Sequence, residues 1–140
     1  MIDLKNKVIM ISGANRGIGY ATAKLLKEKA CILSLAARNP DEIKVGGDNV
    51  LKCMWDAKEK KLSKNWVSET ISHFDKIDGL VMNAGVELGG DLEGDSEEEF
   101  DEMFEVNFKG PLRLVRETLP ELRKTGTGRI INVVSLAGKR

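Results

Sequence analysis

The sequence predicts an α/β fold in which a doubly wound parallel sheet carries helices on both faces. Short apolar runs without polar alternation recur along the chain, as expected of strands buried on both sides. Segments with apolar residues at helical spacing separate them. A length of 140 residues suits one domain around one core, so residues 1–140 are read as a single domain.

Val8 to Ile11 reads as the first strand, and the helix after it carries Ile18, Ala21, Thr22, Leu25 and Leu26 on one face. Cys31 to Ala37 reads as the second strand. The link from Arg38 to Asn49 leads to a weaker third strand, Val50 to Trp55; Asn39-Pro40 and Gly46-Gly47 leave it little more than one helical turn. Leu62, Trp66, Val67, Ile71 and Phe74 mark the next helix, and Gly79 to Met82 the fourth strand. Ser96 with Glu99 spells a capping box, and Asp95, Glu97 and Glu98 suit the positive end of the helix dipole. The apolar face of that helix runs through Phe100, Met103, Phe104 and Phe108 until Gly110-Pro111, which is expected to kink or reset it before a segment from Leu112 to Leu122. Thr125 to Gly128 then turns the chain into a last strand, Arg129 to Val134. Right-handed crossovers between these strands predict the sheet order 3-2-1-4-5.

Composition narrows the function. Lys plus Arg and Asp plus Glu balance at 22 each, which gives no field to attract nucleic acid. A hydrophobic share of 41% with 31% charged residues is an ordinary globular balance. Met1 to Lys7 alternates charged and apolar residues and leaves no room for a secretory segment. No stretch approaches the roughly twenty apolar residues of a membrane span, so a cytoplasmic protein is expected. Cys31 and Cys53 lie in apolar runs away from metal-ligand spacing, so both read as core residues and no metal is expected.

The strongest local signal lies between the first strand and the first helix: Ser12-Gly13-Ala14-Asn15-Arg16-Gly17-Ile18-Gly19. Glycines there let the backbone turn and approach a pyrophosphate, and a helix starting at Gly17 aims free N–H groups at that anion. The spacing G-x-x-x-G-x-G resembles the cofactor loop of the short-chain dehydrogenase/reductase family. Asn83-Ala84-Gly85, Asn107 and Asn132-Val133-Val134-Ser135-Leu136-Ala137-Gly138 follow in the order that family has them. Met82 stands where the family's Asn-Asn-Ala-Gly segment has its first Asn. The resemblance covers the whole chain and implies a Rossmann fold and an oxidoreductase that transfers hydride between a nicotinamide cofactor and a carbonyl or alcohol.

NAD needs a carboxylate for the ribose 2′-hydroxyl at the end of the second strand, whereas NADP needs a cation. This sequence has Ala37-Arg38 there, with Arg16 able to add charge from the glycine loop, so NADP(H) is the expected cofactor and NAD(H) the alternative. The resemblance assigns the loop residues Ser12, Gly13, Asn15, Arg16, Gly17, Ile18 and Gly19 to cofactor binding, joined by Arg38, Asp56 against adenine, and Asn83, Ala84 and Gly85. A plain turn is the other use of Asn83 to Gly85, as solvent exposure is for the arginines.

For proton chemistry the resemblance implies a tetrad of Asn, Ser, Tyr and Lys, of which Asn107 and Ser135 match the first two. Asn107 falls on the stripe of Phe100, Met103 and Phe104, where an inward amide needs a partner; neighbouring backbone could serve instead of catalysis. Ser135 follows the last strand at the carboxyl edge, where ligands of open α/β sheets bind, although it could simply cap the strand. The Tyr and Lys are expected about a dozen residues further on in the family, and the sequence ends at Arg140, so an incomplete, inactive chain with an exposed edge from Ile130 to Val134 is expected. Arg129, Lys139 and Arg140 flank that strand without hiding its backbone. Tyr20 and Lys24 repeat the Tyr-x-x-x-Lys spacing on the first helix, away from the expected nicotinamide position, and His73 reads as a solvated side chain. A noncatalytic nucleotide-binding or regulatory module is the alternative function, and homo-oligomers are expected only of the full-length protein.

Overall fold

The computed structural model describes residues 3–88, 93–94 and 96–135. Met1, Asp95, Lys139 and Arg140, together with Leu136 to Gly138 of the last motif, lie outside the described residues. The five strands are β1 (Val8–Ser12), β2 (Ile32–Ala37), β3 (Val50–Met54), β4 (Gly79–Met82) and β5 (Arg129–Asn132). They pair in parallel in the order β3-β2-β1-β4-β5, the predicted order. Helices α1 (Gly17–Glu28), α2 (Lys60–Phe74), α3 (Glu97–Phe104) and α4 (Gly110–Lys124) alternate with them, and a wide π turn, Glu105–Lys109, joins the last two.

Successive strand residues point to opposite faces, and each face has its own apolar cluster. Met10, Ala36, Leu80 and Met82 meet Trp66 and Val67 of α2 and Leu114 and Leu122 of α4 on one side. Ile11, Leu33, Leu35 and Val81 meet Ala23 of α1 and Ile43 and Val45 of the link after β2 on the other. Cys53 belongs to the first cluster and Cys31 to the second. Ser34 is buried in the central sheet, where its hydroxyl accepts from Trp66 Nε1 at 2.8 Å and pairs with Thr70 Oγ1 at 2.7 Å. At the amino end of the sheet Asp78 is also buried, accepting the Val8 N–H at 2.9 Å and pairing with Lys7 and Lys76. Burial alone would raise its carboxyl, but the Val8 N–H and the two ammonium groups hold it below the usual carboxylate value.

Two expectations need correction. The face of α1 that packs on the sheet is made by Gly19 and Ala23, with Tyr20 and Leu26 partly buried, whereas Ile18 and Leu25 are 63% and 54% exposed. The cause is close approach: a Cβ at Gly19 would lie 2.2 Å from the Gly13 carbonyl oxygen, so only a small residue can face inward there. Phe100, Phe104 and Phe108 likewise face outward, with Phe104 stacked on Phe108 at 4.9 Å, and Val106 is the residue the wide turn buries. At Gly110-Pro111 the helix is reset, as expected, by a change of hydrogen-bond register. The π turn stands immediately before Pro111, which has no N–H for the preceding turn, and the chain runs on into α4.

Strand ends shift by a residue or two for a related reason. The Cys31 N–H is taken by Leu26 O at the end of α1, so β2 starts at Ile32. Trp55 N still donates to Ala37 O, and Val133 N to Met82 O, each at 2.9 Å, one residue past the end of β3 and β5. The link between β2 and β3 folds as one 3₁₀ turn, Pro40–Glu42, with Asn39 capping the Asp41 N–H. The capping box is present with both reciprocal bonds, Glu99 N to Ser96 Oγ at 3.3 Å and Ser96 N to Glu99 Oε2 at 3.1 Å. Strand β5 lies at the sheet edge with Ile130 and Ile131 41% and 56% exposed. No described helix is long and apolar enough to cross a membrane.

Candidate dinucleotide site

Strand β1 ends at Ser12, and its side chain is the hinge of the site. The buried Ser12 hydroxyl accepts the N–H groups of Asn83 and Ala84 at 3.0 and 3.1 Å, tying the segment after β4 to the glycine loop after β1. Asn83 returns the contact, donating from Nδ2 to the carbonyls of Ser12 at 3.2 Å and Gly13 at 3.1 Å. Two loops at the carboxyl ends of adjacent parallel strands are therefore locked together, at the position where open α/β sheets bind ligands. Gly13 turns at φ +66°, and a Cβ on Gly19 would strike both the Gly13 carbonyl and Asn83 Nδ2, the latter at 2.5 Å.

Helix α1 begins here with its positive end bare. Arg16 is the N-cap without a side-chain cap bond, and the first turn holds no acidic residue. The contrast with α3 is direct, since that helix has Glu97, Glu98 and Glu99 in its first turn. An anion from outside the chain would supply at α1 what the carboxylates supply at α3.

The loop, the ends of β2 and β3 and the start of the Asn83 segment enclose a cleft of 740 Å³, within the range of about 300–1,000 Å³ typical of ligand sites. Gly13, Asn15, Arg16, Gly17 and Ile18 line one wall, Arg38 and Asp56 another, and Asn83, Ala84 and Gly85 the floor side. Both arginines are exposed and form no ion pair with described residues. Asp56 is half-buried and accepts the Lys58 N–H at 2.9 Å. These residues fit a dinucleotide: at Gly13 and Gly19 the cradle has no room for a side chain, and the bare helix end suits a pyrophosphate.

The two residues expected to act on substrate are not among those that line this cleft. Asn107 sits in the π turn and is exposed, not turned into the core as its stripe suggested. Its amide clamps the backbone of Val86, accepting from the N–H at 2.9 Å and donating to the carbonyl at 2.7 Å. The helix comes close enough for this because Gly110, one turn on, lies where a Cβ would be 2.5 Å from that of Ala57. Ser135, exposed, follows β5 at the carboxyl edge, and neither it nor Asn107 lines the cleft. Tyr20 packs half-buried on the first helix, and His73 is exposed beside Phe74.

Sequence reasoning missed several cleft residues. Glu42 accepts from Asn15 Nδ2 at 2.9 Å; the signal was Asn39-Pro40, which starts the 3₁₀ turn that carries Glu42 back over the glycine loop. Lys58 pairs with Glu102 at 2.9 Å, joining the loop after β3 to α3, and that hydrogen bond holds the Lys58 ammonium above its usual value. No local pattern announces a contact between residues so far apart in sequence.

The sheet order and the glycine loop together define a nucleotide-binding α/β protein of the Rossmann type. The family model for short chain dehydrogenase matches residues 7–140, and the chain belongs to that family. It is similar to an agropine synthesis reductase of Rhizobium rhizogenes, 36% identical over 97% of this chain and 33% of that protein. An uncharacterised oxidoreductase of Listeria monocytogenes is 35% identical over 98% of this chain and 58% of its own length. A short-chain dehydrogenase from Streptomyces avermitilis superposes with a TM-score of 0.91 at 26% identity, covering 97% of this chain and 52% of that one. A 3-ketoacyl-(acyl-carrier-protein) reductase from Brucella melitensis, solved with NADH, gives 0.88 at 29% identity over 94% and 58%. The chain thus spans a third to three fifths of the length of these relatives.

Proposed function

We propose that residues 1–140 form the dinucleotide-binding domain of an NADP(H)-preferring oxidoreductase acting on a carbonyl or alcohol. The observation that carries this reading is the locked pair of loops, Ser12 to Gly19 and Asn83 to Gly85, beneath two arginines with no ion-pair partner among the described residues. The N–H groups of Gly17, Ile18 and Gly19 bind the pyrophosphate. Arg38 and Arg16 hold the 2′-phosphate, Arg38 by its planar fork. Asp56 lies on the adenine side, and Asn83 to Gly85 support the nicotinamide half. Once bound, the cofactor supplies hydride chemistry.

Ser135 donates a hydrogen bond to the substrate oxygen. Asn107 keeps one amide hydrogen and one lone pair beyond its bonds to Val86, enough to hold a water of the proton path. The single tyrosine among the 140 residues is Tyr20, on the helix that follows the phosphate loop, so these residues alone bind cofactor without turning it over. A cytoplasmic location and a homo-oligomer of the full-length protein complete the reading.

The test is a fluorescence titration of the purified chain with NADPH and NADH, with thermal unfolding as control, repeated for Arg38→Ala. Saturable NADPH binding that weakens tenfold or more in the variant, against about 1.4 kcal/mol per tenfold step, supports the assignment. A folded chain that binds neither nucleotide refutes it.

A further inference from the structure

The rim of the cleft is not simply basic. Arg16, Arg38 and Lys58 line it, but so do Glu42, Asp56 and Glu102, three cations against three carboxylates. Two of the carboxylates are engaged: Glu102 is paired with Lys58, and Asp56 accepts the Lys58 N–H. Glu42 has no cationic partner among the described residues, and the one hydrogen bond its carboxylate accepts there is from Asn15 Nδ2. Asn15 belongs to the glycine loop next to Arg16, and Asn39 at the head of the 3₁₀ turn directly follows Arg38. The turn therefore places in the lining of the arginine-bearing cleft a carboxylate that forms no ion pair with described residues.

The geometry points to Glu42 as a cofactor-selectivity residue that opposes Arg38. This inference rests on the cleft binding a nicotinamide dinucleotide. A 2′-phosphate entering between Arg16 and Arg38 brings negative charge toward Glu42 and competes with it for the Asn15 amide, since both are acceptors. A free 2′-hydroxyl does the reverse, donating to the Glu42 carboxylate as ribose hydroxyls do to acidic residues in NAD sites. Arg38 favours the phosphorylated cofactor and Glu42 the unphosphorylated one, so the chain discriminates less than Arg38 alone would make it. Charges several ångströms apart at a hydrated rim change binding by about three- to tenfold.

The test measures dissociation constants for NADPH and NADH with the whole chain and with Glu42→Gln, Glu42→Asp and Glu42→Ala, all at one ionic strength. The ratio of the NADH to the NADPH constant is expected to rise about fivefold in Glu42→Gln, chiefly through tighter NADPH, and to rise similarly in Glu42→Ala. It should stay within twofold of wild type in Glu42→Asp, which keeps the charge. A Glu42→Gln ratio within twofold of wild type while both cofactors bind overturns the role of Glu42 and leaves the cofactor site standing. Equal weakening of both cofactors in Glu42→Ala with no change in Glu42→Gln also overturns it, because the Asn15 contact would then only brace the loop. A wild-type chain that binds neither cofactor removes the premise, and the inference falls with it.

Discussion

Gly19→Ala tests the packing that shapes the cradle. The added Cβ would lie 2.2 Å from the Gly13 carbonyl oxygen and 2.5 Å from Asn83 Nδ2, where real contacts essentially never fall under 3.0 Å. Helix α1 must therefore retreat from the loop, or Asn83 must release its bonds to Ser12 and Gly13. Overpacking costs about 1–3 kcal/mol, and each lost hydrogen bond adds about 1 kcal/mol. The better helix propensity of alanine returns about 1 kcal/mol, leaving a net loss of about 2–4 kcal/mol when both Asn83 bonds are lost. In a chain of this size that lowers the melting temperature by about 10 °C. Gly17→Ala is the control: its Cβ meets nothing within 4 Å, and only the backbone at φ +55° is strained, worth about 1–2 kcal/mol. Circular dichroism melts and NADPH titration of both variants give the comparison. A Gly19→Ala protein that melts and binds like wild type would refute the close-approach argument.

Other consequences follow from single contacts. Ser12→Ala leaves the Asn83 and Ala84 N–H groups without their buried acceptor and should cost about 2 kcal/mol in chemical denaturation while weakening NADPH binding. Asp78→Asn should destabilise by about 1.5–3 kcal/mol at neutral pH, as expected for hydrogen bonds to a charged group. The folded carboxyl titrates below its ordinary value of 3.8, so this contribution is whole above that pH and lost as pH falls through the folded value; the gap between wild type and variant in urea melts must close in acid. Burial, with Glu69 beside it, pushes the Cys53 thiol up to about 12, so iodoacetamide at pH 8 should label it only after unfolding; rapid labelling of the folded chain would contradict its place in the core. Ser96→Ala removes the cap of α3 and should cost about 1 kcal/mol, read as faster amide exchange over residues 97–100.

What could be read in the sequence is what depends on neighbours in the chain. Gly79 to Met82 is an apolar run whose limits match β4 because all four of its residues are buried from both faces. Ser96 and Glu99 satisfy each other within one turn, so the start of α3 needs no tertiary information. The glycine loop was legible because its spacing states the backbone it needs. The face of α1 was not, since its fully buried residues are Gly19 and Ala23, chosen for smallness, while Ile18 and Leu25 face out. Asn107 was located by its motif, but its partner is the backbone of Val86, and backbone groups leave no trace in side-chain patterns. Glu42 escaped because Asn39-Pro40 marks the turn without telling where it will carry a charged side chain.

Backbone amide NMR of the chain during NADPH titration shows whether the locked loops at the carboxyl ends of β1 and β4 hold a nicotinamide dinucleotide. Resonances of Gly13 to Gly19, Arg38 and Asn83 to Gly85 should move together and saturate, while those of Lys76, Glu121 and Lys124, which line a separate 370 Å³ cleft at the amino ends of β4 and β5, stay in place. Shifts confined to that second cleft, or none at all in a folded chain, would contradict a site at the locked loops.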